Sequence, residues 1–325
     1  MVAPLFLHGV DVDLNLVQII FVLESDNTDA YVAALYQALR RFDFFFKQTC
    51  CRYGLKSCLA CKEQTVCPCR DVFAQELSTD PDVVRRHQKP SLPFAFKIKQ
   101  LSGNDSFLEL SLVVIGNAVN HLPVFIKAVR RLIESHPVQY SRIAPDIIGI
   151  YCTDYQSARH ELDCSSLGTQ NLVVLSSLEI MENAVAAEHI KLILESPLRL
   201  LSSGSVLHKM DFAVFLRSQL RRCSSLFAYY GDGELEIDFA GLSAMANHVE
   251  CHNDGIIYSQ PSWSQRSNHA GLAGTSLFGE DAAGMMPLLV LGSYFNAGKG
   301  ASFGLGAYRV EAVHVESDGP DPRFT

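Results

Sequence analysis

The stretch GKGASFGLGAY, residues 298 to 308, sets Gly298, Gly300, Gly304 and Gly306 around Lys299 and Ser302. A backbone this permissive can bring its amide groups close to a phosphodiester chain, with Lys299 supplying charge. The same glycines also suit a tight turn that needs positive φ and nothing more. Neither common nucleotide signature is met: a P-loop lysine is followed by Ser or Thr, and Lys299 is followed by Gly300. A dinucleotide fingerprint opens a helix, whereas this run leads into FGLGAYRVEAV, which reads as a strand.

Six of the ten cysteines crowd into residues 50 to 69, as a vicinal pair, a CxxC at Cys58 and Cys61, and a CxC at Cys67 and Cys69. Tetrahedral zinc takes four ligands, thiolates at about 2.3 Å, and a CxxC turn supplies two of them. Cys51, Cys58, Cys61 and Cys67 are the expected ligands of a structural zinc, with Cys50 and Cys69 as alternatives. Free thiols or an iron–sulfur cluster are the competing readings. The metal would fold an insertion, residues 48 to 76, too polar to make its own core. His248, Cys251 and His252 form a smaller group with no partner pair nearby. No GxSxG, HExxH or paired DxD motif stands in a convincing context, which leaves hydrolase and metalloprotease readings without support.

These residues need elements to hold them. LVQIIFVL reads as a buried strand, and Thr28 to Arg41 as a helix capped at Asp26 or Asn27. FAFKIKQLSGNDSFLELSLVVIG reads as a hairpin turning at SGND, Asn117 to Glu134 as a helix, and DIIGIYC as a strand. The second half repeats the order: HIKLILES, a helix over Met210 to Tyr230, IIYSQ, GLAGTSLFG, a helix over Gly284 to Phe295, and FGLGAYRVEAV. FAGLSAMANHV adds a further helix. The expectation is an α+β chain of two tandem ferredoxin-like (RRM-like, βαββαβ) domains, residues 1–165 and 166–315, with the zinc-binding insertion in the first. Residues 316–325 are expected to be a disordered tail.

Composition agrees with two folded units. Of 325 residues 48% are apolar and 19% charged, enough for each half to bury its own core. The net charge is −8, yet its placement is uneven. Residues 1 to 39 carry no Lys or Arg, while Arg40 to Lys99 carry twelve against six acids. This local basic segment is either a solvated insertion or a phosphate-contacting one. The N-terminus MVAPLFLHGVDVD has no basic leader, and no apolar run approaches the ~20 residues that span a bilayer. The expectation is a cytoplasmic protein with no membrane partner.

The segment MMPLLVLGSYFNAGKGASFGLGAYRVE resembles the C-terminal signature of the CRISPR-associated endoribonucleases that process precursor crRNA, within the RAMP superfamily. SPLRLLSSG, LRSQLRRCSSLFAYY and SQRSNHAGLAGTSLFG fit in order, as does LSLVVIGNAVNHLPVFIKAV in the first half. The resemblance implies paired ferredoxin-like domains that grip CRISPR repeat RNA or crRNA and cut it without a catalytic metal. A base takes the ribose 2′-OH proton, the oxygen attacks the neighbouring phosphate, and an acid serves the departing 5′-oxygen. The ends would be a 2′,3′-cyclic phosphate and a 5′-hydroxyl.

Two departures stand out. Where relatives carry a histidine two residues before the first loop glycine, this chain has Asn296, and ESHPVQYSRIAP stands in place of a second glycine-rich turn. His269 is then the leading proton-transfer candidate. Tyr294 either donates a proton, stacks on a base or fills the core. Lys299 is the third catalytic candidate, and Lys299, Ser302 and the four glycines are the expected RNA contacts. Arg217 and Arg221, with Arg222, are either a solvated face or a reach to RNA phosphates or a neighbouring subunit. Asn296 also motivates the alternative of a non-catalytic subunit that holds the crRNA handle within a CRISPR effector or transposon-associated complex.

Overall fold

The computed structural model describes residues 12–52, 54, 58, 61, 67–101, 106–135, 145–162, 172–185, 187–262, 264 and 269–314. The N-terminus through residue 11, the expected turn at 102–105, residues 136–144 of ESHPVQYSRIAP, the junction at 165/166 and the tail at 316–325 lie outside the described residues.

LVQIIFVL builds β1 (Asn15–Glu24), and α1 (Thr28–Leu39) follows with Asn27 Oδ1 accepting from Ala30 N–H as its cap. Then come α2 (Phe42–Cys50), α3 (Pro68–Phe73), α4 (Pro81–Arg86), β2 (Phe94–Gln100), β3 (Phe107–Ile115), α5 (Leu122–Glu134), β4 (Asp146–Thr153), β5 (Arg159–Glu161) and β6 (Leu175–Ser176). The second half supplies α6 (Ser177–Glu182), β7 (His189–Leu198), β8 (Leu201–Ser202), β9 (Ser205–Val206), α7 (Phe212–Tyr230), α8 (Phe239–Ala246), β10 (Cys251–Ser259), β11 (Gly271–Phe278), α9 (Glu280–Ala283), α10 (Met286–Phe295) and β12 (Tyr308–Val313).

The first sheet runs β2-β3-β1-β4-β5, with β6 added to β1, and the second runs β10-β11-β7-β12. In each, the first and third strands of a βαββαβ unit are central, which is the ferredoxin-like order, and every pairing is antiparallel. The strand alternation sets the register: Phe21 faces Leu110 across β1 and β3, and Tyr308 faces Leu194 across β12 and β7.

Boundaries shift where local chemistry overrides periodicity. The helix expected from Asn117 begins as a 3₁₀ turn over Gly116–His121, and α5 starts at Leu122 with a proline in its first turn. Asp211 caps α7 through Val214 N–H, which moves its start past Met210. The strand expected over FGLGAYRVEAV begins only at Tyr308, because Gly304 and Gly306 have positive φ.

Each half has its own core. In the first, Phe42, Phe46, Phe94, Phe96 and Phe125 meet mostly edge-to-face, with Phe42 and Phe96 centroids 4.9 Å apart. The second gathers α7 and α10 on its sheet through Phe215, Leu289, Phe295 and Tyr308. Phe303, from the glycine-rich loop of the second half, packs on Phe94 of the first at 5.9 Å. The loop therefore belongs to the seam between the halves.

Candidate functional site

Between α10 and β12 all four glycines have positive φ: 70° at Gly298, 89° at Gly300, 92° at Gly304 and 65° at Gly306. A Cβ on Gly306 would run into the Ala297 carbonyl, and one on Gly298 into the Arg199 carbonyl, so both need glycine for space as well as for φ. The amides of Gly298 and Gly306 are spent within the protein. Gly306 N–H donates to Pro197 O at 3.0 Å, and Gly298 N–H to Ser218 Oγ at 3.2 Å. Lys299 N–H donates to Arg199 O at 2.9 Å, which clamps the loop to the chain leaving β7. Ser302 is buried and its hydroxyl accepts from Arg222 Nη2 at 3.1 Å. Lys299, the loop's one charged residue, is exposed. The loop is a rigid turn that points a single cation outward at the domain seam.

Asn296 explains how the turn is anchored. It is fully buried at φ 60° and ψ 174°, and its Nδ2 donates to Phe96 O at 2.7 Å and to Ala301 O at 2.9 Å. Its own carbonyl accepts from Gln219 Nε2 at 3.1 Å. Arg222 does parallel work, donating to Phe295 O at 2.8 Å and to Phe94 O at 3.1 Å. Phe94 and Phe96 lie on β2, an edge strand, so Arg222 and Asn296 cap two carbonyls on its open side. Burial pushes the Arg222 guanidinium down to about 10. Asn296 and Arg222 are interdomain rivets, and no proton leaves an amide at this position near neutral pH.

His269 lies just ahead of β11 at 2% exposure, with Nδ1 2.6 Å from Ser264 Oγ. The ring of Tyr36, from α1, is tilted against it at 6.2 Å, and the Tyr36 hydroxyl is hydrogen-bonded to Ser196. Ser196 Oγ in turn accepts from Ala307 N–H at 2.8 Å, and Tyr36 also lies against Gly304. Burial raises the Tyr36 phenol well above its ordinary value. The structure thus joins His269 to the glycine loop through Tyr36 and Ser196, two residues that sequence reasoning missed. Their signal is spatial, since residues 36, 196, 269 and 307 are remote in the chain. Tyr294 is half-buried against the second core, where desolvation raises its phenol. Lys97 on β2 is a further residue at the seam: burial lowers its ammonium, with the Glu195 carboxylate on β7 opposing.

The remaining candidates separate into two places. Arg217 reaches Ser243 Oγ at 3.5 Å and Asn247 Oδ1 at 3.3 Å, while Arg221 is exposed. Both line a cavity on the α7 and α8 side rather than the glycine loop. In the cysteine-rich stretch, Cys50, Cys58, Cys67 and Cys69 pack on the first core, with Cys58 and Cys69 sulfurs 3.7 Å apart. A hydrogen bond from Cys69 lowers the Cys50 thiol, and Cys61 N–H donates to Cys58 O at 3.2 Å in the CxxC turn. The set drawn onto the core thus shares Cys58 and Cys67 with the expected ligands and adds Cys50 and Cys69 to them. Among the described residues no three His, Cys, Asp or Glu side chains close on a common metal position.

A family model described as CRISPR-associated endoribonuclease Cas6 matches residues 192–308, a span from β7 through the glycine loop to the first residue of β12. A second model, described as an N-terminal domain, matches residues 41–145. Among solved structures, the chain is similar to a Cas6 product complex at 15% identity and TM-score 0.52, over 92% of this chain and 100% of that one. Another Cas6 product complex shares 12% identity at TM-score 0.54, over 90% and 98%. Thermus thermophilus Cas6 shares 12% identity at TM-score 0.52, over 92% and 99%. These structural likenesses carry the fold. No curated protein matches the sequence.

Proposed function

We propose that the chain is a member of the CRISPR-associated endoribonuclease Cas6 family, whose model matches residues 192–308, and that it processes precursor crRNA by binding the repeat RNA at the glycine loop and cutting it by metal-independent attack of a ribose 2′-OH. The observation that carries the proposal is Lys299, exposed on a turn whose Gly298, Lys299 and Gly306 N–H groups donate inward. An exposed cation at a domain seam suits a phosphate whose charge grows as a phosphorane forms.

In the step itself a base removes the 2′-OH proton and the O2′ lone pair attacks phosphorus. The bond to O5′ breaks as an acid protonates it, which leaves a 2′,3′-cyclic phosphate and a 5′-hydroxyl. His269 is assigned the base, with its tautomer held by Ser264. Tyr294 is assigned the acid, a phenol that burial raises and so keeps protonated at neutral pH. One observation favours a second reading, a subunit that holds crRNA for other effector subunits without cutting it. Asn296 is buried with both amide hydrogens committed, and His269 is nearly as deeply covered.

A structural zinc is proposed for the cysteine-rich stretch. The 3.7 Å between Cys58 and Cys69 sulfurs fits the edge of a tetrahedron with bonds of about 2.3 Å, whereas a disulfide would bring them to about 2.05 Å. The group would hold α2 and α3 together and stay outside the reaction. On this reading the protein works in the cytoplasm with its RNA, and no described helix is long and apolar enough to cross a membrane.

Binding is tested by titrating labelled repeat RNA at several salt concentrations with wild type and Lys299→Ala. The expected outcome is weaker binding, with the salt slope smaller in magnitude by about one. Unchanged affinity and slope would refute the phosphate role of Lys299.

A further inference from the structure

We infer that a second site, in the cavity between α7 and residues 234–243, takes one unpaired nucleotide bearing an exocyclic amine. The inference deepens the RNA reading and rests on it only for the source of that nucleotide. The cavity measures about 860 Å³, inside the ~300–1,000 Å³ usual for small-ligand sites. Arg217, Leu220, Arg221 and Ser224 recur at steps of three or four along α7 and form one stripe along it. The end of α4 contributes Arg86 and His87, so both halves of the chain build the cavity.

The charges there are not all spoken for. Arg86 is paired with Glu234, and Arg217 is engaged by Ser243 and Asn247. His87 is bonded to Ser224 Oγ at 2.9 Å. Arg221 and Glu236 are both exposed, and among the described residues neither forms an ion pair. An unpaired guanidinium matches two phosphate oxygens in its planar fork. An unpaired carboxylate accepts from an amino N–H, as it does from N4 of cytosine. Leu220, Ile237 and Phe239 offer an apolar wall on which a base can lie.

A nucleotide uses all three features at once. An inorganic anion would leave the wall and Glu236 idle, and an aliphatic amine would leave Arg221 idle. Uracil has no exocyclic amine, so UMP should rank below CMP and AMP.

The test titrates CMP, AMP and UMP into the intact protein by calorimetry, and single-stranded repeat RNA by fluorescence anisotropy. Wild type, Arg221→Ala, Glu236→Gln and Lys299→Ala are compared, with circular dichroism to verify that each is folded. CMP affinity should fall at least tenfold in Arg221→Ala. Glu236→Gln should weaken CMP several-fold and leave UMP unchanged, while Lys299→Ala should leave CMP unchanged. RNA affinity lowered by Arg221→Ala identifies the RNA as the source; an effect confined to CMP identifies a free nucleotide. Absence of CMP binding up to millimolar concentration, or CMP binding equal in wild type and Arg221→Ala, overturns the proposal. If wild type binds CMP but no repeat RNA, the RNA reading fails while this site stands.

Discussion

Replacing Asn296 tests whether this residue is a rivet or a relic of chemistry. Asn296→Ala strips the hydrogen-bond donors from the Phe96 and Ala301 carbonyls, and each buried acceptor left bare costs about 1–3 kcal/mol. It also removes Asn296 Oδ1, a buried acceptor with no partner among the described residues, which returns about 1–3 kcal/mol. The net loss should be about 1–3 kcal/mol. The backbone separates this effect from simple truncation. At φ 60° and ψ 174° the residue sits in a region that glycine alone occupies freely, at a cost of about 1–3 kcal/mol to any other type. Asn296→Gly loses the same bonds but relieves much of that strain, so it should be more stable than Asn296→Ala. Asn296→Asp turns a carboxylate toward two carbonyl oxygens and should be the least stable of the three. Urea unfolding followed by circular dichroism reads the order directly. If Asn296→Ala lies within about 0.5 kcal/mol of wild type, or the aspartate variant is no worse than the alanine one, the rivet account is wrong.

Gly306→Ala should destabilise by about 2 kcal/mol or more, through positive φ and collision with Ala297 O. Gly284→Ala, at φ −61° with nothing near its added methyl, should be neutral or slightly stabilising, and equal thermal shifts for the two would refute the loop geometry. For His87, burial followed by the Arg86 charge holds the imidazole below its ordinary 6.5. The unfolded chain therefore takes up this proton first, and stability should fall as pH drops through 6.5 toward the folded value. His87→Gln should flatten that part of the pH profile, and an unaltered profile would assign it elsewhere. Zinc should appear at about one equivalent by elemental analysis, and strong chelation should lower the melting temperature. Cys58→Ser should reproduce that loss, and metal-free protein with an unchanged melt would contradict the zinc proposal.

Much of the architecture was legible because strand and helix periods differ. LVQIIFVL and HIKLILES announce the central strands β1 and β7, and DFAVFLRSQLRRCSSLFAYY announces α7. Residue type narrowed the first cap to Asp26 or Asn27, and the structure takes Asn27. The short α2 was missed because FDFFF masks an i, i+3, i+4 set at Phe42, Phe45 and Phe46. The glycine loop was legible as a turn and opaque as a surface, since spacing cannot tell an amide facing Pro197 from one facing RNA. The same limit divided the arginines. Arg221 and Arg222 are neighbours in sequence, yet one is exposed and the other is spent on the seam. Tyr36 and Ser196 joined the site only through tertiary contact.

The most direct measurement incubates the purified protein with its own repeat RNA in EDTA and resolves the products on a denaturing gel, beside a substrate carrying a 2′-deoxyribose at the cut. One specific cut is expected, with a 2′,3′-cyclic phosphate on the upstream fragment and no cut in the 2′-deoxy substrate. Cleavage that stops in EDTA, or that survives the 2′-deoxy substitution, would contradict the mechanism. Tight binding without any cut would make this chain a holder of crRNA.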